Sequence, residues 1–150
     1  MYPLQHIRRL RALVLKHNLP RPAEFDTATD EQLQKEYNGI GSKKFRALLW
    51  LTTKLFAIFE AAALIHDYCW SKLWNDGTRY RWRKSNNFFR AGCMILAATC
   101  GVWFEWARPQ QRALYRNSGE ALYRVVDSDL IGWPIWRDAE RCEEGSEVLA

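Results

Sequence analysis

A small, single, mainly α domain is the fold that the sequence predicts, and three observations predict it. Apolar residues recur at helical spacing in several segments, each bounded by proline, asparagine or glycine. Thr29 and Gln32 stand at the spacing of a capping box, which marks a helix start. A run from Phe45 to His66 is apolar almost all round, as a central buried helix is. At 150 residues, 48% of them hydrophobic, the chain can bury a core without disulfides or metals as staples. No internal repeat, low-complexity tract or heptad run competes with this reading.

The first helix is expected over residues 3–17. Pro3 suits its first turn, and Leu4, Ile7, Leu10, Val14 and Leu15 form a stripe opposite Arg8, Arg9, Arg11 and Lys16. Asn18, Pro20 and Pro22 break it, and an extended linker is expected up to residue 28. A short helix then begins near Asp30 and leaves through Asn38-Gly39. The central helix spans residues 43–74, and Asn75-Asp76-Gly77 ends it with turn chemistry. Residues 76–84 are expected as an exposed loop or short β flap. Ser85 is expected to cap a helix over 86–107, which Pro109 closes. A last helix follows over 110–126, with Gly119 its weak point. Beyond it, Trp133-Pro134-Ile135-Trp136 is expected to dock, and residues 137–150 form an acidic, mobile tail. The total is about five helices, with two antiparallel long ones at the centre.

Net charge is +5, and the basic residues gather at Arg8-Arg9-Leu10-Arg11 and Arg79-Tyr80-Arg81-Trp82-Arg83-Lys84. Either cluster is a solvated face or a site for phosphate, on nucleic acid or on anionic lipid. Cys69, Cys93, Cys100 and Cys142 lack C-x-x-C spacing, so buried free thiols are expected rather than zinc ligands. Arginines occupy the stretch where the apolar core of a signal peptide would lie, which points to a cytoplasmic protein, peripheral to a membrane or phage-delivered as alternatives. Residues 48–65 approach the length of a membrane span. Lys54 and Glu60 interrupt them, however, and a charge at the bilayer centre costs about 2.5–3.5 kcal/mol, so a buried core helix is the expectation.

Two segments carry candidate chemistry. In Tyr37-Asn38-Gly39-Ile40-Gly41-Ser42, two glycines can bend the backbone so that carbonyl oxygens converge, which suits a hard cation. His66-Asp67, on the central helix, offers a carboxylate to complete such an oxygen shell and an imidazole whose pKa range suits a general base.

Tyr37-x-Gly39-x-Gly41 followed by His66-Asp67-Tyr68-Cys69-Trp70 resembles the phospholipase A2 superfamily, and most closely its small bacterial and phage-encoded members, over residues 36–93. The resemblance implies that the carbonyls of Tyr37, Gly39 and Gly41 bind Ca²⁺ together with Asp67. It also implies that His66 activates water for attack on the sn-2 ester of a phospholipid, and that the Gly39 N–H and Ca²⁺ hold the oxyanion. The family's aspartate that orients the histidine is matched by Asn86, which carries no charge. The analogous exchange in a serine protease triad costs about 10⁴ in kcat. Trp70 stands where the family has tyrosine, Asn38 and Ser85 where it has cysteines, and Ser42 where its loop ends in glycine.

The implied partner is a phospholipid or an anionic membrane surface. Two functions follow from the sequence: a Ca²⁺-dependent lipid hydrolase, or a non-catalytic relative acting as a binding or assembly protein of phage or mobile-element origin. Nucleic-acid binding through Arg79 to Lys84, with Tyr80 and Trp82 as stacking platforms, is a weaker third.

Overall fold

The computed structural model describes residues 2–39, 57–99, 108–129 and 132–138. Among them the chain forms seven α-helices and one 3-10 turn, with no strand. The mainly α expectation therefore holds.

Helix α1, Leu4–Lys16, buries the predicted stripe through Ile7, Leu10 and Val14. Asn18 ends it at φ 46°, a left-handed conformation that asparagine tolerates, and the Leu19 amide bonds back to the Val14 carbonyl. The expected linker contains a short helix instead, α2, Ala23–Thr27. Pro22 stands just before its first turn, where proline costs nothing, and the fully buried Phe25 ring meets Tyr68 edge-on at 5.4 Å. Helix α3, Asp30–Glu36, begins with the predicted capping box, in which the Thr29 side chain accepts from the Gln32 amide and Gln32 accepts from the Thr29 amide.

Arg8 and Arg11 of α1 reach this region. Both pair with Asp30 at 3.0 Å, and Arg11 also donates to the carbonyls of Ala28 and Asp26. The Arg11 guanidinium, with Arg8, outweighs desolvation and holds the Asp30 carboxyl below its ordinary range. Much of the N-terminal basic cluster is thus internal clamp rather than solvated face.

A 3-10 turn, Ala57–Phe59, leads into α4, Glu60–Trp70, which is nearly all buried from Ala61 to Ile65. It stops at Ser71, not Trp74, because the Ser71 hydroxyl donates to the Tyr68 carbonyl while its oxygen accepts from the Leu73 amide. Residues 43–56, the first part of the expected central helix, lie outside the described residues. No helix among the described residues is long and apolar enough to cross a membrane.

The largest correction concerns residues 76–84. They form no β flap, and Ser85 starts no helix, since α5 runs from Arg79 to Thr99. Asp76 accepts from both the amide and the hydroxyl of Thr78, and Thr78 in turn accepts from the Arg81 amide, which makes a helix start seven residues before Ser85. Burial pushes the Asp76 carboxyl up, but the Thr78 bonds and Arg81 outweigh it and leave the group below its ordinary range. No breaker interrupts residues 79–84, and Trp82, Ser85, Asn86 and Phe89 fall on one buried face at helical spacing.

Pro109 is the second residue of α6, Arg108–Val126, while residues 100–107, the expected end of the preceding helix, lie outside the described residues. The tryptophan segment is α7, Gly132–Asp138. Helix α5 packs against α4, α6 and α7. Its Gly92 allows a close crossing, since a Cβ there would stand 3.0 Å from the Ala62 Cβ of α4. Cys69 and Cys93 are buried free thiols, as expected, and burial pushes both up. Cys100, Cys142 and residues 139–150 of the expected tail lie outside the described residues.

Candidate functional site

Helix α4 carries His66 and Asp67, and α3 delivers the glycine turn to them. Tyr37 caps α3 in an extended conformation, so Asn38 and Gly39 turn their amides toward α4. Asp67 Oδ2 accepts from the Asn38 amide at 2.8 Å and from the Gly39 amide at 3.2 Å. Loop and dyad, 28 residues apart, thus meet, as their order in the sequence suggested. They meet through backbone donors, whereas the resemblance implies converging carbonyls.

Gly39 has φ +79°, and a Cβ on it would fall 2.4 Å from the Tyr2 hydroxyl. Gly39→Ala is therefore expected to destabilise by about 1–2 kcal/mol through the left-handed backbone alone, with a further cost from displacing Tyr2. Urea unfolding checks this. In a Tyr2→Ala background only the backbone part should persist, and a cost that vanishes there would place all of it in the side-chain clash.

Around the turn lies a polar cluster that the sequence reading missed. His6 Nε2 stands 3.5 Å from Glu60 Oε2, the His6 ring stacks on Tyr2 at 5.4 Å, and Tyr2 meets Tyr37 at 4.8 Å. The Tyr37 hydroxyl is buried without a partner among the described residues, and burial first, then the Glu60 and Asp67 carboxylates, push it up. One signal was available: Glu60 and Asp67 are seven apart, two turns along one helix face.

His66 is largely enclosed, its side chain 12% exposed against 15% for Asp67, with Nδ1 3.8 Å from Asp67 Oδ1. The imidazole packs on Trp70 at 4.9 Å and on Phe89 at 5.0 Å, and its Nε2 is buried without a partner among the described residues. Trp136 of α7 covers Trp70 edge-on at 5.2 Å and is itself fully buried.

Asn86, matched by resemblance to the family's orienting aspartate, is fully buried. Its amide nitrogen donates to the Val126 carbonyl at 3.2 Å and to Asp127 Oδ1 at 3.1 Å, while its Oδ1 has no partner among the described residues. Tyr123 donates to the other Asp127 oxygen at 2.8 Å. The Asn86 amide therefore ties α5 to the end of α6, and the ring against His66 belongs to Phe89, one turn further on.

The described residues do not by themselves build a Ca²⁺ shell. Among them no group of three or more His, Cys, Asp or Glu side chains is placed to hold a metal ion. Asp67 is the carboxylate at the turn, and the backbone groups facing it are donors rather than cation ligands. Gly41 lies outside the described residues.

The second basic cluster is partly internal as well. Arg79 pairs with Asp129, and Arg81 pairs with Asp76 at 3.2 Å and lies over the Trp74 ring at 5.0 Å. Trp82, proposed as a stacking platform, is 1% exposed, whereas Tyr80 is 71% exposed. No family model, curated protein or solved structure matches the chain.

Proposed function

We propose that this chain is a phospholipase-A2-like helical protein that binds its partner without hydrolysing it, the His66-Asp67 dyad serving to hold the fold together. The observation that carries this reading is the seating of Asp67, whose Oδ2 takes both turn amides in place of a cation. Enclosure of His66 by Trp70 and Phe89, and the bonds from Asn86 to Val126 and Asp127, point the same way. Asp67 and Asn86 both act as internal links.

A hydrolase reading retains one observation of its own. An imidazole with one nitrogen 3.8 Å from a carboxylate, and the other without a partner among the described residues, has the disposition of a general base. Fatty-acid release from mixed-chain phosphatidylglycerol vesicles, with Ca²⁺ and with chelator, separates the two. The binding reading expects no release above the protein-free blank in either case, and His66→Gln should change stability only. Ca²⁺-dependent release that His66→Gln abolishes would establish the hydrolase instead.

A further inference from the structure

Away from the dyad, α5 and α6 leave a groove of about 310 Å³ between them. Met94 and Ala97 of α5, with Pro109 and Ala113 of α6, give it apolar walls, and Arg112 and Arg116 complete the lining from one side. The small side chains at 97 and 113 keep the walls apart. The two arginines are one helical turn apart, so their guanidinium groups can converge on one anion.

Among the described residues they share with Arg9, Arg83 and Arg124 the lack of a carboxylate partner, and of these only Arg112 and Arg116 line the groove. Arg8, Arg11, Arg21, Arg79, Arg81 and Arg90 each meet a carboxylate, whereas Arg112 and Arg116 are exposed and meet none among the described residues. Two uncompensated guanidiniums beside an apolar trough are complementary to a single-chain anionic amphiphile. Its planar carboxylate matches the guanidinium fork, and its alkyl chain covers the methionine and alanine surface.

We propose that this groove binds a long-chain carboxylate, with Arg112 and Arg116 holding the head group and Met94, Ala97 and Ala113 the chain. The proposal does not depend on whether His66 hydrolyses an ester, because the groove begins more than one turn beyond Phe89.

Calorimetric titration of the full chain with laurate below its micellar concentration tests it. Saturable 1:1 binding is expected, tightening from octanoate to laurate by up to roughly fourfold per methylene, with no saturable heat from acetate. Arg112→Gln/Arg116→Gln is expected to weaken laurate at least roughly tenfold, and Ala113→Leu, which fills the trough, to weaken it without removing charge. Both sets of substitutions lie on exposed or half-exposed positions, and a circular dichroism melt confirms that each variant folds. His66→Gln is expected to bind laurate as the parent does, which keeps this result separate from the vesicle assay. The proposal is overturned by absence of saturable laurate binding to the parent, by laurate binding that the double arginine variant leaves within about twofold, or by acetate binding as tightly as laurate.

Discussion

Trp82→Ala is expected to lower the unfolding free energy by about 3–5 kcal/mol and the melting temperature by about 10 °C or more. Trp82 is the largest fully buried side chain near the start of α5, at 1% exposure. Its ring meets Trp133 of α7 at 5.3 Å and carries the Arg79 guanidinium at 5.8 Å. Truncation thus leaves a cavity and removes the surface on which α7 rests. The indole N–H is buried without an acceptor among the described residues. Trp82→Phe should therefore cost much less than Trp82→Ala, since it retains most of the ring and deletes an unsatisfied donor. Urea unfolding of both variants reads the difference. Equal costs would mean that the N–H has a partner, and an alanine cost below about 1 kcal/mol would mean that α7 does not rest on this ring.

This residue also shows what the sequence could and could not disclose. Where a boundary is set by chemistry within four or five residues, it was legible at the Thr29–Gln32 box and the Asn18 exit, whereas the Asn75-Asp76-Gly77 turn forms but does not end α4, which stops earlier at Ser71. The start of α5 carries conflicting local signals, since the Asn75-Asp76-Gly77 turn directly precedes it. Trp82, Ser85, Asn86 and Phe89 nonetheless keep helical spacing. Helix α2 was missed for a different reason. Two prolines and a five-residue length leave almost no local signal, and Phe25 is held by a ring on α4 that sequence order does not bring near.

For the candidate site, the meeting of the glycine turn with Asp67 followed from motif order, but the chemical sense of the contact did not. Whether a turn offers carbonyls or amides depends on φ and ψ at Asn38 and Gly39, which composition leaves open. The partner of His66 was missed by one turn of α5, Phe89 standing against it where Asn86 was expected. That register is set by how α5 packs between α4 and α6, and no residue within the motif encodes it. His6 and Tyr2 come from α1 and the residues before it, and only the packed fold places them beside Tyr37.

Asn86→Asp distinguishes packing from family resemblance most sharply, because the two predict opposite signs. By resemblance, a carboxylate here restores a charge that steadies the imidazolium of His66. By packing, it removes the donor that serves the Val126 carbonyl and Asp127 Oδ1, and faces both with oxygen instead. At full burial, an ionised carboxylate beside a second one and a carbonyl is expected to cost about 3–5 kcal/mol. Protonation relieves part of this, since a neutral carboxyl can donate to one of the two acceptors. The folded state therefore holds the proton more tightly than the unfolded chain, whose aspartate titrates near 3.9, so the new group's folded pKa is raised. With more protons bound in the folded state, the slope of unfolding free energy against pH is negative. The variant should be closest to the parent at about pH 4 and below, lose stability as pH rises through the raised folded value, and then level off. Urea unfolding of parent and variant at pH 4 and pH 8 measures this as a difference that widens at pH 8. A variant as stable as the parent at pH 8, with ester hydrolysis gained, would turn Asn86 toward His66 and restore the hydrolase reading.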